Sequence, residues 1–278
     1  MTQNTFVLPE SFAIPTMPAV AARISKMLQD PNVGLKEVAQ VVAQDAPLAA
    51  KVLKIANSSF YGLSERCIST QQAAAILGVR VLRTVVLQAA VMKQFEHLKG
   101  AGIDLNEIWR HSVVTAQACS YVVQRAQKRV GITNDEAYTC GLLHDLGEVV
   151  MIDNLKDFYV KFWVRARADS APLFMAEQHA LGFTHADVGG RVATQWGLPH
   201  QVVRAISLHH VADVDATTEP VAAIISRVNT IVERVAVGNK AGAAGVFAGA
   251  AGAVLGITPD VESATIDFVS DALQNVEL

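Results

Sequence analysis

The chain has 278 residues, of which 51% are hydrophobic and 18% charged, with a formal net charge of -3. That apolar content excludes a disordered, solvating chain, and the mildly acidic balance without a basic stripe argues against a protein that coats DNA. The length fits one large domain or two modest ones.

Residues 1–18 contain neither Lys nor Arg and no long apolar run, so a signal peptide is not expected there. Beyond them the hydrophobic pattern is helical almost throughout, with no period-2 run bounded by turn residues, which predicts an all-α fold. The spacing predicts helices over 18–29, 35–44, 46–57, 70–77, 79–96, 105–130, 134–144, 155–169, 172–181, 185–196, 199–210, 219–237 and 259–275. Asp104 with Glu107 and Thr133 with Glu136 have capping-box spacing. Pro47, Pro172, Pro199 and Pro259 stand where helices start, and Gly78, Gly131, Gly182 and Gly197 where they end. The stretch Lys99-Gly100-Ala101-Gly102 divides the chain into an N-terminal helical lobe, 1–100, and a second lobe, 101–278, which holds most of the histidines.

The segment Ala241 to Pro259 is uncharged, but it is mostly Ala and Gly rather than Leu, Ile or Phe. A spanning helix needs ~20 strongly apolar residues, so no membrane span is expected; the segment reads as a flexible linker or a small-residue packing helix. Cys67, Cys119 and Cys140 are odd in number and far apart, which predicts buried free thiols of a reducing cytoplasm rather than a disulfide framework.

Two constellations carry chemistry. Leu35–Val42 and Leu48–Asn57, joined by Gln44-Asp45-Ala46-Pro47, have the form of a helix-turn-helix. The second helix offers Lys51, Lys54 and Asn57, and lysines contact phosphates without reading bases, so two bundle helices are expected and stable DNA binding is not. The second constellation is histidine-rich. Gly141 to Gly147 ends an apolar helix in His144-Asp145, His111 follows Trp109 on a long helix, His185 opens another and His209-His210 closes one. Imidazole and carboxylate together suit Fe, Mn, Zn, Ni or Mg, and a carboxylate can bridge two ions that activate a water.

Taken together, these residues resemble the HDOD family, the HD-related output domain of bacterial signalling proteins. The resemblance rests on Ile14-Pro15-Thr16-Met17-Pro18, Leu28-Gln29-Asp30-Pro31, Gln44 to Leu53, Ala56 to Gly62, and Ile68 to Gly78. It continues through Ile108 to Ser112, Gly141 to Gly147, and Ala205-Ile206 with His209-His210. It implies a two-lobed helical fold whose second lobe is similar to the HD superfamily of metal-dependent phosphohydrolases. It further implies a signalling or regulatory module that binds a protein partner or a nucleotide, with weak or no catalysis. The alternative it carries is hydrolysis of a phosphodiester or phosphomonoester by a metal-activated water. His111, His144, Asp145, His185, His209 and His210 stand where the enzymes have ligands for one or two divalent ions, with Asp145 the candidate catalytic residue. Two departures weaken hydrolysis more than metal binding: Asn229 stands for a late Asp, and Glu148 stands for the Lys that follows the active phosphodiesterases' motif.

Overall fold

The computed structural model describes residues 12–27, 33–98, 102–126, 131–168 and 172–276, and no strand occurs among them. The helices are α1 (Ala19–Met27), α2 (Leu35–Ala43), α3 (Ala46–Ala56), α4 (Thr70–Gln94), α5 (Leu105–Arg125), α6 (Asn134–Leu143) and α7 (Leu146–Ala168). They continue as α8 (Leu173–Leu181), α9 (His185–Gln195), α10 (His200–Leu208), α11 (Pro220–Ala236), α12 (Lys240–Ala243), α13 (Ala250–Leu255) and α14 (Pro259–Asn275). The break expected at residues 99–101 and the match at Leu28 to Pro31 lie outside the described residues.

Helices α1, α2 and α3 pack on α4, which in turn packs on α6. Helix α5 lies along α6, α9 is held between α7 and α10, and α11 touches α5, α10 and α14. The buried side chains of both halves form one continuous core. Helix α4 is long and apolar enough to cross a membrane, but 67% of its most apolar window is buried inside the fold. It is also bent at Gly78, where φ is 73°. The predicted helix end at that glycine is therefore real, and the chain resumes a helix at once.

Sequence punctuation explains most boundaries. Thr133 caps α6 through a capping box with Glu136, as the spacing predicts. Asp104 caps α5 differently from the expected box: its carboxylate accepts the Asn106 N–H at 2.9 Å. Gly182 ends α8 in the left-handed conformation.

Two segments depart from expectation. The start of α7, residues 146–154, lies outside the predicted helices. Leu146, Val149, Val150, Met151 and Ile152 are all fully buried and Glu148 is buried among them, so this stretch is covered on every side and carries no amphipathic period. Such burial contributes about 1.5–3 kcal/mol per large side chain, which offsets the missing local signal. The Ala/Gly-rich segment is neither a free linker nor one helix. It folds as α12, a turn and α13, and the buried Glu262 carboxylate accepts the N–H groups of Gly245 at 3.1 Å and Phe247 at 2.7 Å.

The fold positions the histidines through two close approaches. At the crossing of α5 and α6, a β-carbon on Gly141 would lie 2.8 Å from the Ala116 α-carbon, so only glycine lets these helices meet. At the start of α7, a β-carbon on Gly147 would collide with the His185 carbonyl, which is how α7 and α9 come together at their N-terminal ends.

Candidate metal centre

The six residues singled out in the sequence converge on one buried point. Asp145 sits at its middle, in the junction between α6 and α7. Its Oδ2 lies 3.2 Å from His111 Nε2 and 3.0 Å from His144 Nε2. Its Oδ1 lies 3.4 Å from His185 Nε2 and 3.3 Å from His209 Nε2. His210 Nε2 stands 2.9 Å from His185 Nε2. Two sets of ligand-type atoms result: His111, His144 and Asp145, and Asp145, His185, His209 and His210. The remaining described histidines stand apart: His97 pairs with Asp153 at 2.8 Å, and His179 and His200 are exposed.

Local helix chemistry aims these rings. His144 is the C-terminal cap of α6, and its Nδ1 donates to the Gly141 carbonyl at 2.7 Å. His209 caps α10 in the same way, donating from Nδ1 to the Ile206 carbonyl at 2.6 Å. Each ring thus satisfies a carbonyl that the helix end leaves open. Because a carbonyl only accepts, Nδ1 carries the proton and Nε2 faces the centre. His185 opens α9 behind the capping residue Thr184, and its Nδ1 meets Glu177 Oε2 at 2.7 Å. Glu177 also accepts the His185 backbone N–H at 2.8 Å and the Tyr159 hydroxyl. Holding the outer nitrogen of each ring in this way fixes the orientation of the inner one, as outer partners do around bound metals.

The electrostatics favour positive charge between the rings. Burial opposes ionisation of Asp145, but His144, His111 and His185 outweigh it and hold the carboxyl well below its usual range. Burial likewise works against charge on His111, yet Asp145 raises it to about 8. His185 rises too, because Glu177 and Asp145 outweigh its burial. Burial keeps His209 neutral, with a pKa lowered to about 4, and pushes His210 well below its ordinary value. His111 and His185 are thus held toward the protonated form, and a divalent transition metal, whose donor set is neutral imidazole with ionised carboxylate, would take the place of their inward protons. A buried His/Asp cluster of this kind suits a metal site.

Two contributors, Glu177 and Phe174, escaped the sequence reading. Glu177 lies eight residues before His185 on α8, and it is fully buried although α8 is otherwise mostly exposed or half-buried. Phe174, on the same helix, stacks on His210 with ring centroids 4.2 Å apart. Glu148 accepts the Trp163 indole N–H at 2.6 Å. Burial, with the Asp145 charge, pushes Glu148 up to about 7, so it is a weaker anion than its residue type suggests. Asn229 donates to Glu233 at 3.0 Å, while its buried Oδ1 has no hydrogen-bond partner. Of the arginines near the motifs, Arg110 and Arg191 are exposed and Arg204 is engaged by Glu219 at 2.7 Å.

The family pattern of the HDOD domain matches residues 14–212. A protein of Treponema pallidum (strain Nichols) is 25% identical over 197 residues, covering 71% of this chain and 37% of the relative. The chain therefore spans little more than a third of that relative's length. Among solved structures, an HDOD domain protein from Geobacter sulfurreducens superposes with a TM-score of 0.72 at 22% identity, covering 96% of this chain and 94% of the other. A Shewanella amazonensis SB2B protein named "Putative phosphohydrolase" superposes with a TM-score of 0.70 at 21% identity, covering 95% of each chain. At these identities the two structures share the fold. With the family pattern spanning most of its length, this chain belongs to the HDOD family.

Proposed function

We propose that this chain is a regulatory HDOD module built around a divalent-metal centre, and that it binds a protein partner or a nucleotide with weak or no hydrolysis of its own. The observation that carries the reading is the placement of Asp145, whose two oxygens face separate sets of imidazole Nε2 atoms, three of them on rings turned inward by their outer partners. His111, His144 and Asp145 Oδ2 would hold one ion, and His185, His209, His210 and Asp145 Oδ1 a second. The imidazole-rich set favours Fe, Mn, Ni or Zn over Mg. A bound cation there would supply Lewis acidity and a more acidic water.

The residues around the centre favour holding over turnover. His144, His185 and His209 are buried, and only His111 and His210 are half-exposed. A phosphoryl group needs a cationic partner as charge develops, and the nearby arginines are exposed or engaged elsewhere. The centre also joins the ends of α6, α9 and α10 to the second turn of α5, so occupancy would stiffen the packing of these four helices. Adding metal at a hundredfold excess over its dissociation constant should raise the melting temperature by roughly 5–10 °C.

The second reading, a metal-dependent phosphohydrolase, is favoured by the two-sided use of Asp145. Assays of phosphodiester and phosphomonoester turnover with Mn, Fe, Ni or Mg separate the two. Turnover that Asp145→Ala abolishes would replace the regulatory reading. A metal-stabilised protein without turnover supports it, and no stabilisation by any of these ions overturns the metal centre itself.

A further inference from the structure

A cleft of about 850 Å³ opens between α3, the loop that follows it, α5 and the end of α14. It is separate from the histidine cluster. Asn106, Trp109 and Val113 line it from one face of α5. His111, two residues past Trp109, projects about 200° away around the same helix. The lysines of the supposed DNA-reading helix find their place here: Lys51 and Lys54 line the cleft from α3, and Arg66 lines it from the loop.

Three features make this a built site. Its charge is one-sided, with Lys51, Lys54 and Arg66 against the single carboxylate of Glu65, in a chain whose net charge is negative. One cation is held in place and the loop that carries another is anchored. Lys51 Nζ lies over the Trp109 ring, 4.8 Å from the centroid. Asn57 clamps the loop that carries Arg66: its Oδ1 accepts the Cys67 N–H at 2.7 Å, and its Nδ2 donates to the Cys67 carbonyl at 2.8 Å and the Leu53 carbonyl at 2.9 Å. Asn57 is thereby committed to the fold and is no base reader. Finally, the rim exposes aliphatic surface, with Leu63 37% and Ile68 78% exposed. The volume falls within the ~300–1,000 Å³ of small-molecule sites.

We propose that this cleft binds a phosphate-bearing small molecule, in the first instance a nucleotide, with its phosphates on Lys51, Lys54 and Arg66 and its organic body against Leu63 and Ile68. This names the ligand of the regulatory reading and rests on that reading for its purpose. The cleft shares no residue with the metal centre, so the two stand or fall in different experiments.

The test is isothermal titration calorimetry of the full chain with ATP, GTP and inorganic triphosphate. Lys54→Ala, Arg66→Ala and Asp145→Asn are titrated alongside, and circular dichroism confirms that each variant folds. The expected result is saturable binding of a nucleotide, tighter than that of inorganic triphosphate. Lys54→Ala and Arg66→Ala should each weaken it roughly tenfold, the loss expected for a charge-assisted contact, and Asp145→Asn should leave it unchanged. Equal affinity for inorganic triphosphate would overturn the role of the aliphatic rim. No saturable binding at millimolar ligand, or affinity indifferent to Lys54 and Arg66, would overturn the site. Binding lost only in Asp145→Asn would place the anion at the metal centre instead and overturn the proposal.

Discussion

Asp145 and Glu262 are almost equally buried, at 7% and 8% exposure, but their partners differ in kind. Glu262 is satisfied by the chain's own backbone, accepting the N–H groups of Gly245 and Phe247, and it holds the Ala/Gly-rich segment in place. Asp145 meets no backbone donor among its closest partners; it faces imidazole nitrogens contributed by α5, α9, α10 and the end of α6. A carboxylate closed by backbone donors is a structural device. A carboxylate ringed by imidazoles, three of which already spend their outer nitrogens elsewhere, calls for a cation. Burial alone does not distinguish them; the identity of the partners does.

The strongest way to break this comparison is to move the helices that bring the ligands together. Gly147→Ala would drive a β-carbon into the His185 carbonyl. It should cost about 3 kcal/mol, the upper range for overpacking, and abolish metal uptake, as chemical denaturation and metal analysis would show. The next test concerns the other carboxylate. Glu262→Ala leaves the buried Phe247 N–H without its acceptor and should cost about 1–3 kcal/mol in urea unfolding, with metal content unchanged. A loss of metal in that variant would erase the distinction between the two sites.

Glu177 sharpens the account at the metal centre. Glu177→Gln removes the charge that fixes and favours His185. Metal affinity should fall about 10–100-fold by competition with a chelating dye, while the helical content stays that of the parent.

The smallest effect comes from an ion pair near the surface. Asp45 caps α3 and accepts from Lys93 at 2.6 Å, and that bond holds its carboxyl below the ordinary value despite the opposing effect of burial. A lowered pKa in the folded state stabilises above the unfolded value of about 3.9 and is lost as pH falls through the folded one. For a half-exposed pair the contribution is under about 1 kcal/mol. Denaturant midpoints of the parent and Asp45→Asn should therefore differ at neutral pH and converge in acid.

Much of this was legible in the sequence, for identifiable reasons. Half-buried helices such as α2 and α10 carry their amphipathic period and end signals in the open. Five of the six cluster residues lie in short motifs that resemble a known family, His185 opens a helix between them, and the fold brings all six to the same point. The first half of α7 was hidden because a helix buried on all sides has no polar stripe to set its period. Glu177 was hidden because its role is set by a tertiary contact with His185, and nothing in its neighbours marks it. The clamping role of Asn57 was hidden because its partner, Cys67, lies ten residues away across a loop.

The central claim is that Asp145 and its ring of histidines hold metal. The direct measurement is elemental mass spectrometry of the full-length chain purified without chelator, alongside His144→Ala/Asp145→Ala and Glu262→Ala. One or two equivalents of a transition metal in the parent and in Glu262→Ala, and none in the double variant, is the predicted result. Less than about a tenth of an equivalent in the parent, or equal metal in all three proteins, would contradict it.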